Sequence, residues 1–253
     1  MQHKKLPERR SHSDTSRPPA VPAARRGEKR LRQASAKWSI TAIADAVAAG
    51  LVCESARFDA EQAVYGLDSL DELALHPLIA SALRDAGFGV YREQRYPADR
   101  RCRRVSEGER CDLVLTPAGR PLDAPEEPKT LFDPPDAVSL GDAFWLETKV
   151  VAQFTANGPN RRYSSLLLGD VRRDVAKLAK DPGIRHAGLG IVLFTAEQHV
   201  ADHDLAAWQQ RCDELELPVA APEIRHARVS DRLGNEVCTV ALFPIARTRI
   251  ARP

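Results

Sequence analysis

The sequence predicts an α/β protein, in which a central mixed β-sheet is flanked by helices. After residue 75, strand-like stretches and amphipathic helix patterns follow in the order helix, three strands, helix, strand, helix and hairpin. The stretch 188–195 is a largely apolar run, which is typical of a strand buried on both faces of a sheet. The sequence Leu233-Gly-Asn235 separates the last two strand patterns and predicts a hairpin turn.

Composition limits the class of protein. The 253 residues are 43% hydrophobic and 28% charged, which is ordinary for a globular chain. No apolar run reaches the roughly 18 residues of a membrane span, and no apolar core follows the basic N-terminus as it does in a secretory signal. The five cysteines are scattered without a CxxC pair, which argues against a zinc ribbon and favours free thiols in a reducing cytoplasm. We therefore expect a cytoplasmic protein without membrane contact.

Residues 1–37 form a basic tail that we expect to be disordered. Eleven lysines and arginines stand against three acidic residues, a net charge of +8, which leaves −6 for the rest of the chain. Four prolines and a near absence of large apolar residues also disfavour a folded core. Such a tail commonly adds salt-sensitive affinity for nucleic acid, although a solvated tail without a specific partner fits the composition equally well.

Two helices are predicted before the first strand. The first, at residues 40–50, is rich in alanine and ends at Gly50, within an N-terminal helical segment of residues 38–70. The second, at residues 76–87, carries Pro77 in its first turn.

The remaining elements belong to a domain that we place at residues 71–253. A proline-rich stretch from residue 117 to about residue 137 is too polar and broken for a core element. The helix at residues 164–180 has apolar residues, among them Leu168, at helical spacing. A further helix is marked by Leu205, Trp208, Cys212 and Leu215, and strands are predicted at 89–96, 110–116, 143–151, 188–195, 223–231 and 236–245.

The strand at residues 143–151 carries Glu147 and Lys149 two residues apart, so both side chains point to one face of the strand. A Glu-x-Lys triplet is common, and Glu127-Pro-Lys129 also fits the pattern. A proline in a loop context cannot belong to a central strand, however. The position of Glu147 and Lys149 among strand-forming residues is therefore what distinguishes them.

A partner acid is expected on the neighbouring strand. Asp112 lies in the strand at 110–116, on the face opposite to Cys111 and Leu113. Asp136 is the rival, because it lies closer in sequence to the Glu-x-Lys strand. We prefer Asp112, since a rigid strand holds a ligand better than a proline-rich loop does.

In their order along the chain, these elements resemble the PD-(D/E)xK nuclease superfamily, the fold of many restriction endonucleases, Holliday-junction resolvases and RecB-type nuclease domains. The resemblance covers about residues 70–200. It implies a restriction-endonuclease-like core in which Asp112 and Glu147 hold Mg²⁺ while Lys149 positions or activates the attacking water. Cys111 stands where the name-giving proline would be, a position at which that proline is often absent.

The resemblance also implies further candidates. Some relatives add a glutamate from the helix before the first strand, for which Glu72 is the nearest candidate and Glu61 another. Gln153, four residues beyond Lys149, resembles the trailing glutamine of some branches, although a strand-end amide explains it equally well.

The residue types fit metal chemistry independently. Mg²⁺ prefers oxygen ligands and keeps several waters, so two carboxylates suffice; Mn²⁺ is the expected substitute. The ion polarises a phosphoryl group and acidifies a bound water, and an ammonium group beside it stabilises developing negative charge. An ordinary salt-bridged strand surface is the alternative interpretation.

Basic residues near the helix at 164–180 are candidates for phosphate contact. Arg161 and Arg162 precede this helix, while Arg173 and Lys177 lie four residues apart on one of its faces. A solvated charged face explains the same pattern.

We therefore expect a metal-dependent endodeoxyribonuclease that hydrolyses phosphodiester bonds of DNA in restriction, defence or repair. A homodimer, or association with a larger complex, is expected as its assembly. The alternative is a catalytically inactive nucleic-acid-binding module of a larger complex, and a third hypothesis is a structural or regulatory partner protein.

Overall fold

The protein is built around a six-stranded mixed β-sheet with helices on both faces, so the predicted α/β class is confirmed at this level. The structure, a computed structural model, describes residues 38–99, 109–123 and 136–246. The predicted basic tail at residues 1–37 lies outside the described residues, as does most of the predicted proline-rich stretch.

The described elements follow the predicted order, and the six predicted strands all form with ends within three residues of the prediction. The described helices are α1 (Ile40–Ala60), α2 (Glu72–Asp85), α3 (Tyr163–Ser165), α4 (Val171–Lys180) and α5 (Gln198–Glu214). The described strands are β1 (Gly89–Arg95), β2 (Arg110–Thr116), β3 (Leu122–Asp123), β4 (Val138–Ser139), β5 (Phe144–Ala152), β6 (Phe154–Thr155), β7 (Gly158–Pro159), β8 (His186–Thr195), β9 (Glu223–Arg228) and β10 (Val237–Pro244).

The large sheet has the strand order β1-β2-β5-β8-β10-β9. β5 and β8 pair in parallel, and the other neighbouring pairs of this sheet are antiparallel. Because parallel neighbours need a crossover connection, the chain passes through α3 and α4 between β5 and β8. β8 is buried along its whole length after His186, which explains the apolar run in its sequence.

Helices cover the sheet in two layers. The N-terminal layer consists of α1 and α2, which pack on the sheet face that carries Phe144 and Leu146. The C-terminal layer consists of α4 and α5, which pack on the face that carries Trp145. The described residues belong to one compact unit, so the helical segment at residues 38–70 shares its core with the chain that follows. None of the helices in the described ranges has the length and apolar character that a membrane crossing requires.

The prediction that the first helix ends at Gly50 is wrong. Helix α1 continues to Ala60, and Gly50 lies in its interior, where α1 crosses α2. A Cβ atom on Gly50 would lie 2.2 Å from the Cβ atom of Ala82. Glycine is therefore present because two helix backbones approach closely, and not because the helix stops.

The start of α2 also differs from the prediction. The carboxylate of Asp71 caps the helix by accepting the backbone N–H of Ala74 at 2.9 Å, so α2 begins at Glu72 and Pro77 lies inside it. The cap stabilises the first turn, and the proline costs the helix a single backbone hydrogen bond. This earlier start places Glu72 and His76 on one face of α2, one turn apart.

The segment predicted as one helix at 164–180 contains a π-helical turn. Residues Leu166–Asp170 form this turn between α3 and α4. A π turn contains an extra residue, which changes the face that each side chain occupies. Leu167 is buried as a result, whereas Leu168, which the helical spacing grouped with the apolar residues of this helix, is 40% exposed.

Candidate metal centre

The candidate site lies where strands β2 and β5 part. The last pair in their register is Leu113 with Leu146, and Asp112 would face Glu147 next. The carboxylate of Asp112 instead accepts the backbone N–H of Thr148 at 2.8 Å. Because this N–H has a side-chain partner, the two strands can separate here without leaving it unsatisfied.

Strand β2 changes face at the same point. Cys111 packs in the C-terminal layer, whereas Leu113 packs in the N-terminal layer, so the prediction that they share a face is wrong. Glu93, which the register of β1 places opposite Asp112, has a φ of 53° in the left-handed region. Local irregularities of this kind redirect side chains near functional sites.

Glu147 is buried beside Asp112, and we call these two residues the carboxylate pair. The hydroxyl of Tyr96 donates to Oε1 of Glu147 at 2.5 Å. Burial and the negative charge of Asp112 together raise the pKa of Glu147 to about 9, and the hydrogen bond from Tyr96 opposes this rise. Two carboxylates crowded in a buried position repel one another unless a proton or a cation lies between them.

Lys149 lies between two further carboxylates. Its Nζ atom is 3.1 Å from both oxygens of Glu72 and 3.4 Å from Oδ2 of Asp174. Burial lowers the pKa of Lys149, but Asp174 and Glu72 outweigh that effect and hold the pKa above its ordinary value. Lys177 lies 3.3 Å from the other oxygen of Asp174. The lysine is therefore charged and held in one position.

His76 completes a hydrogen-bonded chain to Asp112. Its Nε2 atom lies 2.8 Å from Oγ1 of Thr148, and that hydroxyl lies 3.2 Å from Oδ2 of Asp112. An ionised carboxylate only accepts, so Thr148 donates to Asp112 and accepts from Nε2 of His76. His76 is 2% exposed and therefore keeps this orientation.

The other candidates from the sequence lie in different surroundings. Oε1 of Gln153 accepts the backbone N–H of Ala196 at 3.0 Å, which joins the end of β5 to the loop after β8. The side chain of Asp136 is 61% exposed and lies 4.0 Å from Arg120. Glu61 follows the last turn of α1 and forms an ion pair on that helix.

The basic candidates divide into two groups. Arg161, Arg162 and Arg173 are exposed. Lys177 is half-buried, and its pKa is raised because Glu147 and Asp174 outweigh the lowering effect of burial. Lys177 therefore belongs to the charged interior of the candidate site.

Four residues of the site were missed by the sequence predictions: Tyr96, His76, Thr148 and Asp174. Asp174 could have been found from the sequence, because it is an acidic residue on the buried face of α4. His76 could have been found by recognising the cap at the start of α2, which starts that helix at Glu72 and so places His76 on the same face. Tyr96 has no local signal, because its partner lies 51 residues away in sequence.

The donor atoms fit a hard divalent cation. Ligand atoms of Glu72, His76 and Asp112 lie within 4.8 Å of one another, but Glu72 contacts Lys149 and Nε2 of His76 contacts a hydroxyl. In the described part of the chain, the N–H and O–H donors engage Oδ2 of Asp112 and Oε1 of Glu147. The other oxygen of each carboxylate accepts from none of these donors, and carboxylate oxygens are the ligands that Mg²⁺ prefers.

Comparison with known proteins adds no family assignment. No protein-family model, curated protein or solved structure matches this chain. The interpretation of the site therefore rests on its own geometry and chemistry.

Proposed function

We propose that this protein is a Mg²⁺-dependent nuclease that hydrolyses phosphodiester bonds of DNA, and that its sheet and helices form a restriction-endonuclease-like core. The observation that carries the proposal is the carboxylate pair, crowded at the point where β2 and β5 separate, on the strand that also carries Lys149. A divalent cation between two carboxylates relieves the repulsion between their like charges without requiring a proton.

The charge of the surroundings also favours a divalent cation. Four carboxylates and two ammonium groups lie together, so two negative charges are in excess when all of them are ionised. These residues are Asp112, Glu147, Glu72, Asp174, Lys149 and Lys177.

Each residue has a distinct role in this proposal. Asp112 and Glu147 would hold the metal ion, which would supply Lewis acidity toward the phosphate and the attacking water. Lys149 places a positive charge where negative charge develops on the phosphate. Glu72 and Asp174 keep that lysine charged and in position.

Contact with DNA is proposed for the basic residues before and along α4. Arg161, Arg162 and Arg173 are exposed and available to phosphates, whereas Lys177 acts closer to the carboxylates. A cytoplasmic endonuclease of restriction, defence or repair, acting as a homodimer or within a larger complex, is the setting we propose.

The test is cleavage of a supercoiled plasmid in the presence of Mg²⁺ or Mn²⁺. Nicked and linear products are expected from the wild-type protein, since a closed circle offers no ends to an exonuclease. Asp112→Asn and Lys149→Ala should each lower the rate at least about a hundredfold. Asp45→Asn is the control, because this exposed carboxylate pairs with Arg225 on the surface of the N-terminal layer.

Two results would contradict the proposal. DNA binding without cleavage in any metal would favour a catalytically inactive nucleic-acid-binding module. Neither binding nor cleavage would favour a structural or regulatory partner protein.

A further inference from the structure

We propose that two residues, Tyr96 and Thr148, select the metal ion that the carboxylate pair binds. Each engages one oxygen of a carboxylate, so that Glu147 and Asp112 offer a cation a single oxygen apiece. The site therefore prefers Mg²⁺ or Mn²⁺ to Ca²⁺. This inference rests on the proposed function, because it concerns the same metal site.

On the side of Glu147, the engaged oxygen is Oε1. The hydroxyl of Tyr96 donates to it at 2.5 Å. Tyr96 is 3% exposed, and its ring stacks on that of Trp145, with ring centroids 5.5 Å apart and planes 25° apart. Since the ring cannot leave this packed position without opening the core, its hydroxyl remains on Oε1.

On the side of Asp112, the engaged oxygen is Oδ2. It accepts from the backbone N–H of Thr148 at 2.8 Å and from the hydroxyl of the same residue at 3.2 Å. Nε2 of His76 donates to that hydroxyl and lies 3.7 Å from Oδ2. Three groups thus surround this oxygen, and His76 and Thr148 are both buried.

A third carboxylate, that of Asp174, adds negative charge near Glu147. The side chain of Asp174 is 7% exposed, and its Oδ2 atom has no hydrogen-bond partner among the described residues, with only the ion pair to Lys149 at 3.4 Å. A buried carboxylate oxygen without a hydrogen bond is costly unless positive charge compensates it. This observation is independent of the hydrogen bonds on the carboxylate pair.

The number of oxygens that each carboxylate offers affects which metal ion the site prefers. Ca²⁺ takes about six to eight oxygen ligands and commonly uses both oxygens of a carboxylate, whereas Mg²⁺ is octahedral and keeps several waters. Two single oxygens leave about four octahedral positions for water and phosphate. The same two oxygens supply too few ligands for a Ca²⁺ site made by the protein.

The test measures binding of MgCl₂, MnCl₂ and CaCl₂ to the full chain by isothermal titration calorimetry. Tyr96→Phe keeps the ring and frees Oε1 of Glu147. The dissociation constant for Ca²⁺ divided by that for Mn²⁺ should fall by about tenfold, because the freed oxygen helps Ca²⁺ more than Mn²⁺. A change of this size is usual for a residue that orients a metal ligand. Tyr163→Phe is the matched control, because the hydroxyl of Tyr163 donates to Asp204 at 2.7 Å away from the carboxylate pair.

A second variant keeps the test decisive if Tyr96→Phe does not fold. Thr148→Val removes the hydroxyl on Oδ2 of Asp112 but keeps the backbone N–H. The ratio should fall in this variant too, by less than in Tyr96→Phe, because one donor to that oxygen remains. Thermal unfolding of each variant shows which of them is folded.

Each outcome has a separate meaning. A ratio that is unchanged in the folded variants overturns the inference and leaves the proposed function intact. An equal change in Tyr163→Phe, or a wild-type protein that prefers Ca²⁺, also overturns it. Failure of the wild-type protein to bind any of these ions overturns the proposed function together with the inference.

Discussion

Replacing Glu147 by glutamine should stabilise the metal-free protein at neutral and alkaline pH. Glu147 is 4% exposed and lies against Asp112, and its pKa is raised to about 9. Glutamine keeps an oxygen that accepts the hydroxyl of Tyr96, but it carries no charge. The variant therefore removes the cost of ionising a buried carboxyl group beside another acid.

The size of the effect follows from the two pKa values. The ordinary pKa is 4.5, and the folded protein raises it to about 9. Between these values the folded protein keeps a proton that the unfolded chain releases, so the free energy of unfolding falls as the pH rises. The stabilisation that this proton provides is fully present below pH 4.5 and is lost by pH 9. At about 1.4 kcal/mol for each pH unit, the free energy of unfolding falls by at most roughly 6 kcal/mol over this range.

Urea denaturation at pH values between about 5 and 9, with EDTA present, measures this effect. The wild-type protein should lose stability with rising pH, while Glu147→Gln should lose much less. Asp68→Asn is the matched control, because Asp68 is also buried with a raised pKa, mainly from burial, and hydrogen-bonds to Asn235 away from the carboxylate pair. Added Mn²⁺ at alkaline pH should stabilise the wild-type protein and Asp68→Asn, but not Glu147→Gln.

Two results would refute this reasoning. If the stability difference between wild type and Glu147→Gln is the same at every pH, the carboxyl group of Glu147 does not titrate abnormally. If Mn²⁺ stabilises both proteins equally, Glu147 is not a ligand of the ion.

Three further predictions concern packing, DNA contact and a buried amide. Gly50→Ala should lower the free energy of unfolding by about 1–3 kcal/mol, because the new Cβ atom would lie 2.2 Å from the Cβ atom of Ala82. Thermal denaturation measures this effect, and a stabilised variant would contradict the close helix crossing. Combined Arg161→Ala and Arg162→Ala should weaken DNA binding in anisotropy titrations and flatten its dependence on salt, and an unchanged salt slope would exclude phosphate contact. Asn235→Ala should cost about 1–3 kcal/mol in urea denaturation, because this fully buried amide makes three hydrogen bonds, and an unchanged midpoint would contradict that role.

The strands that carry the candidate site could be predicted from local sequence. The bounds of β2 agree with the prediction at both ends, and those of β5 are shifted by one residue. Alternation along β5 also predicted that Glu147 and Lys149 share a face. These features depend on neighbouring residues only, since burial of one strand face and the two-residue repeat are properties of the strand itself.

The surroundings of these residues depend on contacts between distant parts of the chain. Whether Gly50 ends a helix or lies at a helix crossing is settled by the position of Ala82, which local sequence does not report. Likewise, Tyr96 reaches Glu147 across 51 residues, and His76 reaches Thr148 across 72. Local patterns report which face of an element is buried, whereas the order of strands and the packing of helices select which buried faces meet. For this reason the sequence identified the candidate ligands, and only the folded arrangement brought together the groups that orient them.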